Sequence, residues 1–123
     1  MILIDTSVWV DYFRSGDPLL TGLLQEGNVQ LHAFVLGELL LGAVGAQSAA
    51  LDALLELPLA VPATDQEVYR FIEQHALRGC GIGYVDTHLL ASTALTPGAR
   101  LWTWDQRLHK AAARLGVAMA ATH

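Results

Sequence analysis

The order of apolar and polar positions divides the chain into short runs of two kinds. Residues 1–4 form an apolar run that ends at Asp5, Thr6 and Ser7, the pattern of a buried strand feeding a helix start. A helix is expected over about 7–14, stopped by Gly16, and Pro18 can open another that continues to about Glu26. Gly27 and Asn28 carry turn chemistry, and residues 29–32 read as a second strand. The stretch 34–44 is apolar on nearly every face, which predicts a buried helix.

Leu51, Leu54, Leu55 and Leu57 suggest a further helix stopped by Pro58, and residues 59–61 a third strand. Thr64 and Glu67 have the spacing of a capping box, opening a helix with Val68, Phe71, Ile72 and His75 on one face and an end near Gly79. Residues 85–95 read as helix, 100–104 as strand, 106–115 as helix closed by Gly116, and 117–120 as a last strand. Short apolar strands alternating with helices predict one α/β domain over 1–123 with a mainly parallel sheet. Such sheets bind ligands outside the carboxyl ends of their strands.

Two acids fall at such ends. Asp5 follows the first strand and Asp105 follows LWTW, where Leu101, Thr103 and Asp105 share one side and Trp102 and Trp104 the other. Parity thus turns Trp104 away from Asp105 and predicts a core role for it, with stacking on a bound aromatic group as the alternative. An Asp between strand and helix is also a favoured N-cap, so either acid can be a cap, a site residue or both. Glu38 sits inside the apolar stretch with Phe34, Val35, Leu41 and Gly42, and no base, three or four residues away. An unpaired buried carboxylate costs several kcal/mol or takes up a proton. Glu38 therefore reads as a metal ligand, or else as an acid on an exposed face. Asp86 opens a helix, where the dipole welcomes an acid in any case. His88, two positions on, points to another face and reads as a partly buried or surface histidine.

Taken together the four acids imply more than each does alone. Two carboxylates about 4 Å apart repel by ~4 kcal/mol at an effective dielectric near 20, so a cluster holds protons or binds a cation. All-oxygen ligands suit magnesium or manganese over zinc, and such ions serve phosphodiester hydrolysis. The residues alone therefore point to a metal-dependent phosphoesterase.

Composition narrows the alternatives. Of 123 residues 53% are hydrophobic, above the ~45–50% usual for soluble domains, and the surplus suits a partner surface or dimer contact. No run is long enough to span a membrane, and the N-terminus lacks the basic-then-apolar order of a secretory signal, so a cytoplasmic address is expected. The lone Cys80 excludes a disulfide framework or a cysteine zinc site and reads as a small buried residue. The net charge of −5 argues against a protein that grips nucleic acid by bulk potential, and against a sequence-specific DNA-binding domain. Setting aside the four acids leaves eight of the twelve against seven bases, or −1, which remains compatible with a nuclease.

The blocks ILIDTSVWVDYF, LHAFVLGELLLG, GIGYVDTHLLASTAL and ARLWTWDQRL, in that order, closely resemble the PIN-domain family and, within it, the VapC-type toxins. The resemblance covers nearly the whole chain. It implies a three-layer α/β/α fold with a five-stranded, mainly parallel sheet. It implies Asp5, Glu38, Asp86 and Asp105 as the catalytic quartet that holds Mg²⁺ or Mn²⁺, with Thr6 and Thr103 orienting those acids. The activity implied is that of an endoribonuclease and toxin, in which metal-activated water attacks the phosphate in line and leaves a 5′-phosphate and a 3′-hydroxyl. The implied partners are structured RNA, a small VapB-like antitoxin whose tail blocks the site, and a second copy of the chain. Relatives often carry bases around the last acid, where this chain has Trp104 and Gln106. Arg107, Lys110 and Arg114 lie on one side of the following helix and either contact RNA or form a solvated face.

Two other classes compete. A non-catalytic PIN-fold interaction module would use the acids as caps and the apolar surplus as a docking face. An aspartyl-phosphate phosphatase typically wants a second Asp two positions after the first, where Ser7 stands. A receiver domain is also a poor match, because paired early acids and a lysine after a late strand are missing.

Overall fold

A computed structural model describes residues 1–42 and 48–120 of the chain. Its centre is β1 (Ile2–Ile4), flanked by β2 (Val29–Gln30) on one side and β3 (Arg100–Trp102) on the other, both parallel to it. Leu3 faces Gln30 and Leu101 in register, and Ile4 faces Trp102. Consecutive residues Leu3 and Ile4 are both buried, as expected of a parallel strand covered on two faces.

From β1 the chain passes through α1 (Thr6–Ser15) and α2 (Pro18–Gln25) to β2, then through α3 (Ala33–Leu41) and α4 (Ser48–Leu55) to Leu59, which bridges Leu31. It returns through α5 (Asp65–Gln74) and α6 (Tyr84–Leu95) to β3 on the opposite side of β1, and ends with α7 (Gln106–Arg114) and a bridge from Ala118 to Leu101. The winding direction thus reverses between β1 and β3. That reversal opens a crevice at their carboxyl ends, where the chain places Asp5 and the segment 103–105.

Local chemistry sets most boundaries. Asp17 accepts from the backbone N–H groups of Leu19 and Leu20 and, with Pro18 behind it, starts α2. Thr64 and Glu67 form the reciprocal capping box of α5, at 3.1 and 2.9 Å. Besides β2, which ends at Gln30 rather than residue 32, four features differ from expectation. The sheet has three strands rather than five. The expected third and last strands each make only a single bridge, through Leu31 N–H to Pro58 and Ala60 N–H to Leu31, and through Leu101 N–H to Val117 and Met119 N–H to Leu101. Pro58 and Pro62 flank the first of these and donate no N–H, which limits its ladder.

The second difference is β3, which ends at Trp102 rather than 104. The third is α5, which ends at Gln74 and not near Gly79. Ala76 takes the left-handed conformation there (φ 52°) and Leu77 N–H reaches back to the Ile72 carbonyl at 3.0 Å, a helix stop usually made by glycine. The fourth concerns α3: only Val35 and Leu39 are buried, while Phe34, Leu40 and Leu41 are exposed, Leu41 at 91%. It is not a buried helix. Its apolar surplus lies on the surface, and Val44, in the expected stretch, lies outside the described residues.

No helix among the described residues is long and apolar enough to cross a membrane. The left-handed alanine gives a direct test of the α5 stop. A side chain at positive φ costs roughly 1 kcal/mol that glycine does not. Ala76→Gly is therefore expected to raise the unfolding free energy by up to about 1 kcal/mol in urea titrations. An unchanged or lower midpoint would mean that the helix does not end this way.

Candidate active site

Asp5 directly follows the central strand and is buried, the residue being 6% exposed. A carboxylate so placed needs partners, and it has two: the hydroxyls of Ser7 and Thr103 both donate to its Oδ2, at 2.8 and 2.7 Å. Each hydroxyl is held in turn. Trp104 N–H donates to Ser7 Oγ at 3.1 Å, and Asp105 N–H donates to Thr103 Oγ1 at 3.0 Å. The turn after β3 is thereby fixed against the end of β1.

Asp105 is the N-cap of α7, its Oδ1 accepting from Leu108 N–H at 3.0 Å. One of its two carboxylate oxygens is thus committed to the helix. Glu38 is exposed, contrary to the buried position expected from its apolar neighbours, and Thr6 Oγ1 donates to its Oε1 at 2.8 Å. The narrow buried stripe of α3 leaves Glu38 on the open side, at the rim. Asp86 lies half-buried in the first turn of α6.

Asp86 reports on all four. Its carboxyl is pushed up from an ordinary 3.8 to about 6, by burial first and then by the charges of Asp5, Asp105 and Glu38. The helix dipole would favour its ionised form by only ~0.3–1 kcal/mol, so burial and like charge outweigh it. The four acids come from four separate elements and share one field. As the side chains stand, no three acidic, histidine or cysteine residues among the described ones are close enough to close on a single cation.

The bases sit as follows. Arg107, in the first turn of α7, lies against Gly81 in the loop before α6: a Cβ on Gly81 would stand 2.9 Å from Arg107 Cδ. Gly81 also has φ +85°, so both the turn and the close approach call for glycine. Arg107 thus spans from the Asp105 cap to the loop that leads to Asp86. Lys110 is exposed, and Arg114 donates to the His75 carbonyl at 2.8 Å, which ties α7 to the end of α5.

Sequence reasoning missed Ser7, whose role depends on a partner far along the chain. Trp104 packs against the core, as expected, but is not fully covered. The strand ends at Trp102, so alternation no longer governs Trp104, which is half-buried and lines a groove with Ser7. It also missed a polar cluster beneath the start of α3. His88 is fully buried, not partly exposed, and its Nε2 lies 3.2 Å from Asp65 Oδ1, which also accepts from the Tyr84 hydroxyl at 2.6 Å. His32, equally buried, caps α3 by accepting from Phe34 N–H at 3.0 Å, and burial holds its pKa below the usual histidine value, helped by His88. Cys80 is half-buried against the core.

The family model of the PIN domain matches residues 2–114, a span that includes all four acids. The chain belongs to the PIN domain family. Within it the chain is of the VapC type. It is 44% identical over 120 residues to Ribonuclease VapC32 of Mycobacterium tuberculosis, in the CDC 1551 / Oshkosh and the H37Rv strains alike, covering 98% of this chain and 97% of the relative. No solved structure matches it.

The raised carboxyl of Asp86 makes the metal-free PIN domain sensitive to pH. An acid whose folded pKa lies above its unfolded value stabilises the fold below about 3.8, and that contribution is lost as pH rises through about 6. Without divalent ions, stability relative to Asp86→Asn should fall by about 1–2 kcal/mol between pH 4 and 7, with solvent screening at a half-exposed group allowed for. His32 acts in the opposite sense, its contribution being lost as pH falls below about 6.5, but it is common to both proteins and cancels in the difference. Parallel pH profiles of the two proteins in EDTA would refute the shared field.

Proposed function

We propose that this chain is a divalent-metal-dependent endoribonuclease acting as the toxin of a type II toxin–antitoxin pair, hydrolysing RNA phosphodiester bonds to leave a 5′-phosphate and a 3′-hydroxyl. The observation that carries it is the field shared by Asp5, Glu38, Asp86 and Asp105 at the crevice of a parallel sheet, in a chain 44% identical to a protein named as a ribonuclease.

The donor set fits Mg²⁺ or Mn²⁺. It consists of carboxylate oxygens alone, and their mutual repulsion, expressed in Asp86, is what a divalent cation relieves. When bound, the cation supplies Lewis acidity, making water a better nucleophile and offsetting charge at the phosphate. The protein's own residues divide the remaining work. Asp5, immobilised by Ser7 and Thr103, is the fixed reference of the site. Asp105 offers the oxygen that Leu108 does not use. Thr6 holds Glu38 at the rim, and Asp86 can carry a proton near neutral pH.

Arg107, laid over Gly81 between the Asp105 and Asp86 elements, is the base best placed for the RNA backbone, with Lys110 further along α7. Arg114, engaged with His75, is the least available of the three. The exposed apolar side chains Phe34, Leu40 and Leu41 on α3 support contact with a VapB-like antitoxin or a second copy of the chain.

Magnesium or manganese at a hundred times its dissociation constant should stabilise the fold by ~2.7 kcal/mol, whereas sodium chloride of equal ionic strength should not. An unchanged melting temperature would leave a non-catalytic interaction module as the better description. Asp5→Asn is expected to abolish RNA cleavage and growth inhibition in a protein that remains folded, since the amide oxygen can still accept from both hydroxyls. Full toxicity in that variant would remove Asp5 from the mechanism. Because Glu38 is exposed, Glu38→Gln should lose cleavage and metal-dependent stabilisation together while keeping its unfolding free energy in EDTA within about 0.5 kcal/mol of the wild type. A Gln variant that cuts at the wild-type rate would exclude Glu38 from the site.

A further inference from the structure

We infer that the groove lined by Ser7, Val10, Asp11, Arg14 and Trp104 is a nucleobase subsite, in which Trp104 stacks on a base of the RNA next to the scissile phosphate and the Arg14–Asp11 pair reads its edge. The inference rests on the ribonuclease reading above and adds to it the place where sequence preference arises.

The groove is open to solvent and offers about 430 Å³, within the range of small-ligand sites and sufficient for one nucleotide. Two hydrogen bonds join its wall to the site: Trp104 N–H donates to Ser7 Oγ at 3.1 Å, and Ser7 Oγ donates to Asp5 Oδ2 at 2.8 Å. A base in the groove therefore belongs to a nucleotide whose phosphate lies at or beside Asp5. Buried Trp102 meets the Trp104 ring at right angles, centroids 5.6 Å apart and planes at 85°, and braces the indole from the core side. Val10, 48% exposed on the same side of α1, supplies an apolar wall.

The polar end of the groove is the Arg14 Nη2 to Asp11 Oδ1 pair at 2.8 Å, with the Arg14 side chain 73% exposed and that of Asp11 39%. A pair so open to water is weakly held and readily exchanges partners. It presents donors and an acceptor together, the combination that pairs with a base edge. A protein of net charge −5 gains little from bulk attraction to a polyanion, so it needs a short-range grip on RNA, and stacking supplies one. A protein segment is the weaker candidate for this groove, because the broad apolar surface that suits one is on α3.

The test uses the full-length protein, a pool of randomised RNA and sequencing of the cleaved ends, with Mn²⁺ present. A second readout is the affinity for short single-stranded oligonucleotides by fluorescence anisotropy in EDTA. Trp104→Ala should flatten the preference at one nucleotide beside the cut and weaken oligonucleotide binding about 5- to 100-fold, the equivalent of the ~1–3 kcal/mol per base that stacking contributes. The rise in KM should exceed any fall in kcat. Trp104→Phe should keep most of the affinity, and Arg14→Met should change which base is preferred. If the Ala variant fails to fold by circular dichroism, Phe and Met carry the test alone, and cut-site profiles identical to wild type in both overturn the inference. A folded Ala variant with wild-type profile and affinity overturns it as well. So does one that loses only the binding of its co-encoded protein partner, which would assign the groove to that partner. Should the wild type cut no RNA with Mg²⁺ or Mn²⁺, the ribonuclease reading itself fails, and retained Trp104-dependent oligonucleotide binding would still support the groove.

Discussion

One buried carboxylate joins the two halves of the sheet. Asp5 hangs from the end of β1 with Ser7 on its own helix and Thr103 beyond the end of β3, both donating to the same oxygen. Burying a charge costs several kcal/mol, and hydrogen bonds to a charged acceptor are among those strong enough to offset it. Because both hydroxyls also accept backbone N–H groups, from Trp104 and Asp105, the carboxylate fixes more than itself. The cap of α7, the direction of Asp105 and the wall of the neighbouring groove all follow from where Asp5 lies.

The same arrangement sets function against stability. Each of the four acids has a local structural account, as strand end, cap, first helical turn or exposed rim, and none of those accounts requires the others. Their joint effect appears in Asp86, whose carboxyl is raised to about 6 first by burial and then by the charges of the other three. Repulsion that a cation can relieve is typical of a site whose stability has been given up for activity. It also explains how a net-acidic chain can approach RNA: outside the quartet, eight acids face seven bases.

Features with a local cause were the ones legible in the sequence. Asp5 at the end of the first strand, the Thr64–Glu67 box and the Pro18 start each depend on residues within four positions of one another, and the structure has them where they were expected. Ser7 was illegible because its partner Trp104 is 97 residues away. Trp104 packs against the core as expected but is only half-buried, because the strand whose alternation was extended to it stops two residues earlier. The end of α5 was set too late because Ala76 does what glycine usually does there, and composition offers no signal for that. Glu38 was expected to be buried because apolar composition does not distinguish a helix that turns its apolar side chains to the core from one that leaves several of them exposed.

That last distinction ties recognition to chemistry. Glu38 shares α3 with exposed Phe34, Leu40 and Leu41, so the apolar surface and the rim of the acidic crevice are parts of one short helix. Anything that covers the apolar side chains also takes water away from Glu38, and desolvation disfavours its charged form. An apolar partner alone would therefore bind against a rising electrostatic cost. A partner that brings a basic side chain to the rim, or binds while a cation is present, meets no such penalty. Control of the site through this face thus requires charge as well as apolar area, and the constraint comes from the position of a single glutamate on a helix nine residues long.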